Sequence, residues 1–259
     1  MMNKLKFFFK YFVWLICAFS FSNTAYAAGD MPKPPEHKWS FYGIFGSFEQ
    51  DKLQRGFKVY QEVCASCHSM KYIHFRNLTE IGFTNDEAAA IASQATVPGG
   101  IDDSGDPFER PGKLADQLPS PFPNAAAARA SNGGAYPPDL SLITKNRNYG
   151  PDYIRALLIG YNDPPSGYEM APGMHYNKWF PGHQIAMAAP LSEGLVDYPD
   201  GTEATVDQMA EDVTHFLHWA ANPELEERHR LGLQIILFLI ILTVLFWFVK
   251  KAVWRNIEH

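Results

Sequence analysis

The chain has 259 residues, three cysteines and 22 Lys+Arg against 28 Asp+Glu, a formal net charge of −6. Six of those bases and one acid lie in residues 1–27 and 231–259, leaving 16 bases against 27 acids, a net of −11, over residues 28–230. A field of that sign excludes electrostatically driven nucleic-acid binding and steers cationic partners.

Residues 1–27 read as a secretory signal peptide: Lys4, Lys6 and Lys10, a mostly apolar run from Tyr11 to Phe21, and Ala25-Tyr26-Ala27 at the cleavage position. Cleavage there removes Cys17, so the exported chain keeps Cys64 and Cys67 alone. Met31-Pro32-Lys33-Pro34-Pro35 follows as an extended linker. Ser47 and Gln50 then stand at capping-box spacing, and Leu53, Phe57, Tyr60 and Cys64 fall on one helical face. Gly56 weakens that helix relative to alanine, which predicts close approach by a second helix.

The helix delivers Cys64-Ala65-Ser66-Cys67-His68, the C-x-x-C-H run of c-type haem attachment. Two thiols three positions apart can each form a thioether to a haem vinyl group, and the next residue brings an imidazole to the iron. A structural zinc site would need a second Cys or His pair at tight spacing, and His215 and His218 come closest. A redox disulfide of the thioredoxin kind would want a βαβ setting, which the surrounding sequence lacks. One covalently bound haem c per chain is the expectation.

Downstream, Thr84 and Glu87 make a second capping-box pair ahead of the Ala-rich stretch 88–95. Residues 97–123, rich in Pro, Gly and Asp, read as loop; Asp102, Asp103, Asp106 and Glu109 cluster in it, as a docking patch or a solvated surface. Asn124 caps a short helix through Arg129, and Tyr136-Pro137-Pro138-Asp139-Leu140 is extended. Pro151 opens a helix ended by Gly160, and 161–204 read mostly as turns. The last soluble helix starts at Thr205, with an apolar face of Val206, Met209, Val213, Phe216 or Leu217, and Ala220. Asn222-Pro223 stops it and can start the next, with Asn222 as cap, Pro223 at the first position and Glu224 in the first turn.

Residues 232–249 carry no charge, and 18 residues at about 1.5 Å each extend roughly 27 Å, close to the hydrocarbon thickness of a bilayer. Lys250, Lys251 and Arg255 follow, with Trp247 and Trp254 near that interface, so the C-terminus is expected on the cytoplasmic side and the haem domain on the periplasmic side of a cell membrane. The organisation read from these signals is a signal peptide (1–27), an all-α haem domain with long loops (28–222) and a transmembrane anchor with a short tail (223–259). No internal repeat or sustained strand pattern is present.

The second iron ligand decides between electron transfer and an open iron suited to a peroxidase or gas sensor. Met70 lies too near His68 to reach the opposite face, Met209 falls in a helix stripe and Met31 in the linker. Met170, Met174, Met187, His175 and His183 remain; the small neighbours Ala186, Ala188, Ala189 and Pro190 favour Met187.

Several stretches together resemble the cytochrome c1 family, the haem c subunit of the cytochrome bc1 complex (ubiquinol–cytochrome c reductase): RGFKVYQEVCASCHSM (55–70), RPGKL (110–114), AARASNGGAYPPDLS (127–141), GYNDPPSG (160–167), HYNKWFPGHQIAMAAP (175–190) and DGTEATVDQMAEDVTHFLHWAANPE (200–224). The resemblance implies a class I cytochrome c domain whose first and last helices cross. It implies thioethers at Cys64 and Cys67 and iron ligation by His68 and Met187, with Arg147 near a haem propionate, Asn132 and Tyr153 beside the haem, and Pro137-Pro138 packed by the proximal histidine. It implies one-electron transfer within the respiratory chain, from a Rieske iron–sulfur protein to a cytochrome c, beside a cytochrome b in the membrane and with no catalysis by the subunit alone. Some bacterial members carry a disulfide in an insertion, for which the mature chain, without Cys17, has no spare cysteines.

Overall fold

The computed structural model describes residues 31–255; the signal-peptide reading and Cys17 fall outside them. The elements are α1 (Gln50–Glu62), α2 (Asn85–Gln94), β1 (Thr96–Ile101), β2 (Pro107–Pro111), α3 (Ala125–Ser131), α4 (Gly150–Ile159), β3 (His175–Tyr176), β4 (Gln184–Ile185), α5 (Val206–Ala221) and α6 (Leu225–Trp254), with 3-10 segments at Cys64–Ser66, Phe75–Ile81 and Pro181–His183. The class is all-α, as expected, with two small two-stranded sheets among the loops.

The core is built where α1 crosses α5. A Cβ on Gly56 would lie 2.0 Å from the Asp212 carbonyl oxygen and 2.7 Å from the Phe216 Cβ, so the two backbones touch there. Phe57 and Tyr60 bring their rings to 5.6 and 5.9 Å from that of Phe216. Leu53, Val59, Met70, Leu78, Ile81, Met209 and Val213 are buried around the crossing; fully burying a side chain of this size contributes about 1.5–3 kcal/mol. Gly56→Ala is expected to push the helices apart and cost about 1–3 kcal/mol, read as a lowered unfolding midpoint; an unchanged midpoint would contradict the close crossing.

Caps follow local chemistry at some ends and tertiary packing at others. Thr84 and Glu87 form the reciprocal capping box of α2, Asn124 accepts from the Ala127 N–H, and Thr205 accepts from the Gln208 N–H. At α1 the expectation fails: Glu49 is the N-cap, and the Ser47 N–H instead donates to the Ser40 carbonyl. Asn222 does not cap α6 either. Its side-chain amide donates back to the His218 carbonyl, and α6 begins at Leu225 behind Glu224.

The stretch read as loop at 97–123 contains a hairpin, β1 against β2, with an irregularity between Pro98 and Gly100. Three prolines and two glycines erase the alternation by which a strand is recognised. Side chains close it instead. Asp102 accepts the Ser104 and Asp106 N–H groups at the turn, and Arg110 donates twice to Asp116 at its base. Those bonds hold the Asp116 carboxyl at about 2.

Residues 37–48 pack across the C-terminal half of α5. Phe41 stacks on His218 at 4.2 Å and meets His215 edge-on at 5.0 Å, while the Glu49 N–H donates to His215 Nε2. Burial lowers both imidazoles to about 4. An unfolded histidine titrates near 6.5, so the unfolded chain binds these protons first. Stability present above pH 6.5 is therefore lost as pH falls toward 4, by up to about 1.4 kcal/mol per pH unit for each histidine. Unfolding midpoints between pH 7 and 5 should show this slope, and His218→Gln should flatten it.

Candidate functional site

Cys64 and Cys67 lie just past the end of α1, both free and half-buried. The 3-10 turn is closed by the Cys67 and His68 N–H groups, which both donate to the Cys64 carbonyl. Burial, then the neighbouring Cys67, pushes the Cys64 thiol up to about 12.

The imidazole of His68 is fixed by one bond. Its Nδ1 lies 2.8 Å from the Pro138 carbonyl oxygen. A carbonyl can only accept, so Nδ1 carries the proton and Nε2 presents a bare lone pair. Burial lowers the His68 pKa, against the raising effect of the Pro138 bond, which favours the neutral form that a metal ligand needs.

Sequence reasoning passed over the residue that holds Pro138 there. Asp139 accepts from Ser69 Oγ (2.8 Å), the Lys71 N–H (2.9 Å) and the Ser141 N–H (2.9 Å), and the Leu140 N–H donates to the Ser69 carbonyl. Burial opposes charge on Asp139, yet these bonds keep its carboxyl below the usual value. The clamp thus joins residues 69–72 to 139–141. Its signal was visible as an Asp two residues before Ser141, an Asx-turn spacing.

A second wall is carried by α4. Asn177, fully buried, donates from Nδ2 to the Leu157 carbonyl and accepts the Trp179 N–H; its own N–H donates to the His183 carbonyl. The Lys178 N–H donates to the Gly160 carbonyl. The loop leading to Met187 is thereby tied to α4, and the Tyr161 hydroxyl donates to the Met187 carbonyl at 3.1 Å. Met187 is half-buried, whereas Met70 and Met209 are fully enclosed in the core. The Trp179 bond of Asn177 has a local Asx-turn spacing, but its bond to Leu157, twenty residues away on α4, carried no recognisable pattern in sequence.

The remaining predicted residues divide. Tyr153 is buried on α4, with its hydroxyl raised by burial and lowered in smaller part by Arg147 nearby. Among the described residues Arg147 meets no carboxylate; its Nη1 donates to the Asn146 carbonyl. Asn132 turns its amide back to the Ala128 carbonyl at the end of α3. Pro137 is half-buried and Pro138 exposed. His175 is exposed in β3, and His183 stacks on Tyr176 with its Nδ1 buried and unpartnered.

These donors suit a c-type haem better than a bare ion. Among the described residues no three His, Cys, Asp or Glu side chains gather as a metal cage. Two free thiols and an adjacent imidazole with one committed nitrogen fit a group attached through carbon and ligated once from this side.

Residues 39–257 match the Cytochrome C1 family. The chain is similar to a cytochrome c1 of Rhodospirillum rubrum, 48% identical over 85% of this chain and 87% of that protein. It is 49% identical to a mitochondrial cytochrome c1 heme protein of Schizosaccharomyces pombe, over 86% of this chain and 73% of that protein. It is also 52% identical to a cytochrome b/c1 of Bradyrhizobium diazoefficiens over 86% of its own length, spanning only 36% of that longer protein. With the Cys64–His68 turn inside the matched span and identity near one half over most of the sequence, the chain belongs to the cytochrome c1 family.

Proposed function

We propose that the chain is the haem-bearing electron carrier of a ubiquinol–cytochrome c reductase, held to the membrane by α6. The observation that carries this reading is the His68 imidazole, locked through Nδ1 to Pro138 beside two free thiols. Cys64 and Cys67 would hold a haem c covalently, with His68 and Met187 as its iron ligands, and the group would supply one-electron redox chemistry.

The chain's own residues act by holding and shielding. Pro138 and the Asp139 clamp orient His68; Tyr161 and Asn177 hold the backbone that presents Met187. Arg147, without an internal counter-charge among the described residues, offers its guanidinium to a propionate, and Tyr153 forms part of the apolar wall. No side chain moves a proton in this scheme. Asn132 is assigned beside the haem by the family resemblance, with its Nδ2 donating to the Ala128 carbonyl.

α6 is long and apolar enough to cross a bilayer: 30 residues, about 45 Å, whose most apolar window is unburied. Lys250 and Lys251 at its far end argue for a cytoplasmic C-terminus and a periplasmic domain of residues 28–222 behind a cleaved signal. The donor would be a Rieske iron–sulfur protein, the acceptor a cytochrome c drawn by the net negative charge, and the neighbour in the membrane a cytochrome b. The name cytochrome b/c1 borne by a longer relative supports that neighbour.

Purification from membranes tests this. A reduced c-type spectrum insensitive to carbon monoxide, with a cytochrome b and a Rieske protein co-purifying, is expected. Companionship with a copper oxidase or a flavoprotein would overturn the assignment of complex.

A further inference from the structure

The apolar surface of the chain does not end with α6. Residues 39–48, Trp-Ser-Phe-Tyr-Gly-Ile-Phe-Gly-Ser-Phe, contain no charge. They split into two sets. Trp39 and Phe41 turn inward and pack with Leu225 at the start of α6. Ile44 and Phe45 turn outward, 74% and 76% exposed, with Tyr42 at 49%.

The outward set is displayed by a rigid loop. The Tyr42 N–H donates to the Trp39 carbonyl, Gly46 to Gly43, and Ser47 to Ser40 across the neck. Gly43 takes a φ of 86°, and a Cβ on Gly46 would fall 2.3 Å from the Phe41 carbonyl oxygen, so both glycines are needed for the shape. Folding could have accepted polar residues at the tip, because Ile44 and Phe45 touch so little of the protein.

The height of the loop identifies what covers it. The Gly46 carbonyl accepts from His229 Nδ1 at 3.0 Å, and the Phe48 N–H donates to the Glu226 carboxylate at 2.7 Å, both on the first two turns of α6. Leu231, where the charge-free stretch of α6 begins, is only two residues beyond His229, about 3 Å along the axis. Exposed Arg228 and Arg230 sit at the same level, where lipid phosphates would lie. A bilayer that α6 enters at this level therefore lies within about one helical turn of the bonds that anchor the loop.

We propose that the Tyr42–Phe45 tip is a second, monotopic membrane contact, with Ile44 and Phe45 set into the headgroup–acyl boundary beside α6. An apolar tip at this depth, about 5–10 Å into the interface, gives the soluble domain a second point of attachment and so limits its tilt more than a single span does. The inference rests on α6 crossing the membrane.

Nitroxide labels on Phe45→Cys, Ile241→Cys and Ser104→Cys test it in the protein purified with its companion subunits and returned to lipid bilayers. The parent chain carried through the same labelling sets the background. Collisions with oxygen, enriched in lipid, and with a water-soluble nickel chelate report depth. At position 45 the label should be oxygen-rich and nickel-poor, as at 241 within α6, and opposite to 104 at the hairpin turn. A nickel-accessible label at 45 would overturn the proposal in favour of water. A label shielded from both reagents would overturn it in favour of a protein cover, another subunit or a second copy. If the 241 label itself is nickel-accessible, the anchor reading fails and the loop proposal with it.

Discussion

Met187→Ala is expected to lower the reduction potential by on the order of tenths of a volt and to make the reduced protein bind carbon monoxide. A thioether stabilises the reduced iron relative to most replacements, and its loss leaves one face open to exogenous ligands. The structure narrows the field of methionines. Met70 and Met209 have no exposed surface, and their removal would leave core cavities. Met31 packs against the core from the N-terminal segment. Met187 instead sits in a loop whose backbone is held by Tyr161 while its side chain lies outside the core cluster. Redox titration and the carbon monoxide difference spectrum read the outcome, and an unfolding midpoint close to the parent's separates ligand loss from collapse. An unchanged potential without carbon monoxide binding would shift the assignment to Met170, Met174, His175 or His183.

Local patterns made much of the scaffold legible. The stripe through Leu53, Phe57 and Tyr60 gave α1, the Thr84–Glu87 and Thr205–Gln208 spacings gave two helix starts, and Gly56 gave the crossing. Each of these depends on residues within a few positions, or on one residue whose cost demands a partner. What escaped depends on residues far apart in sequence. Asn177 satisfies the Leu157 carbonyl from 20 residues away, and Asp139 gathers Ser69 and Lys71 from 70 and 68 residues away. The β1–β2 hairpin escaped because its stability comes from the Asp102 turn and the Arg110–Asp116 pair instead of from alternating apolar faces. At the site, the C-x-x-C-H run pointed to a cofactor outright, while the bond that sets the His68 tautomer became visible only when Pro138 was placed opposite it.

Asp212→Ala should be the most destabilising single change outside the site, by about 3–5 kcal/mol. Asp212 is fully buried at the α1–α5 crossing and receives Arg55 Nε at 2.9 Å, Arg55 Nη2 at 3.1 Å and Gln208 Nε2 at 3.1 Å. Burial pushes the Asp212 carboxyl up against those bonds. Burial also opposes charge on Arg55, but bonds to Asp212 and Asp200 outweigh it and raise its pKa. The guanidinium lies 5.8 Å from the Tyr198 ring centroid, so the fork is enclosed on several sides. Removing Asp212 leaves that cation nearly buried with only the more exposed Asp200, at 2.8 Å, and Asp51, at 3.5 Å, both through Nη1. The penalty is mainly that of a stranded charge. It follows that Arg55→Met combined with Asp212→Leu, which removes both ions and keeps volume, should recover most of the loss. Chemical unfolding of the parent, Asp212→Ala and the double variant measures this. A double variant as unstable as Asp212→Ala alone would mean that the pair contributes through shape at the Gly56 crossing, where the Asp212 carbonyl already meets α1.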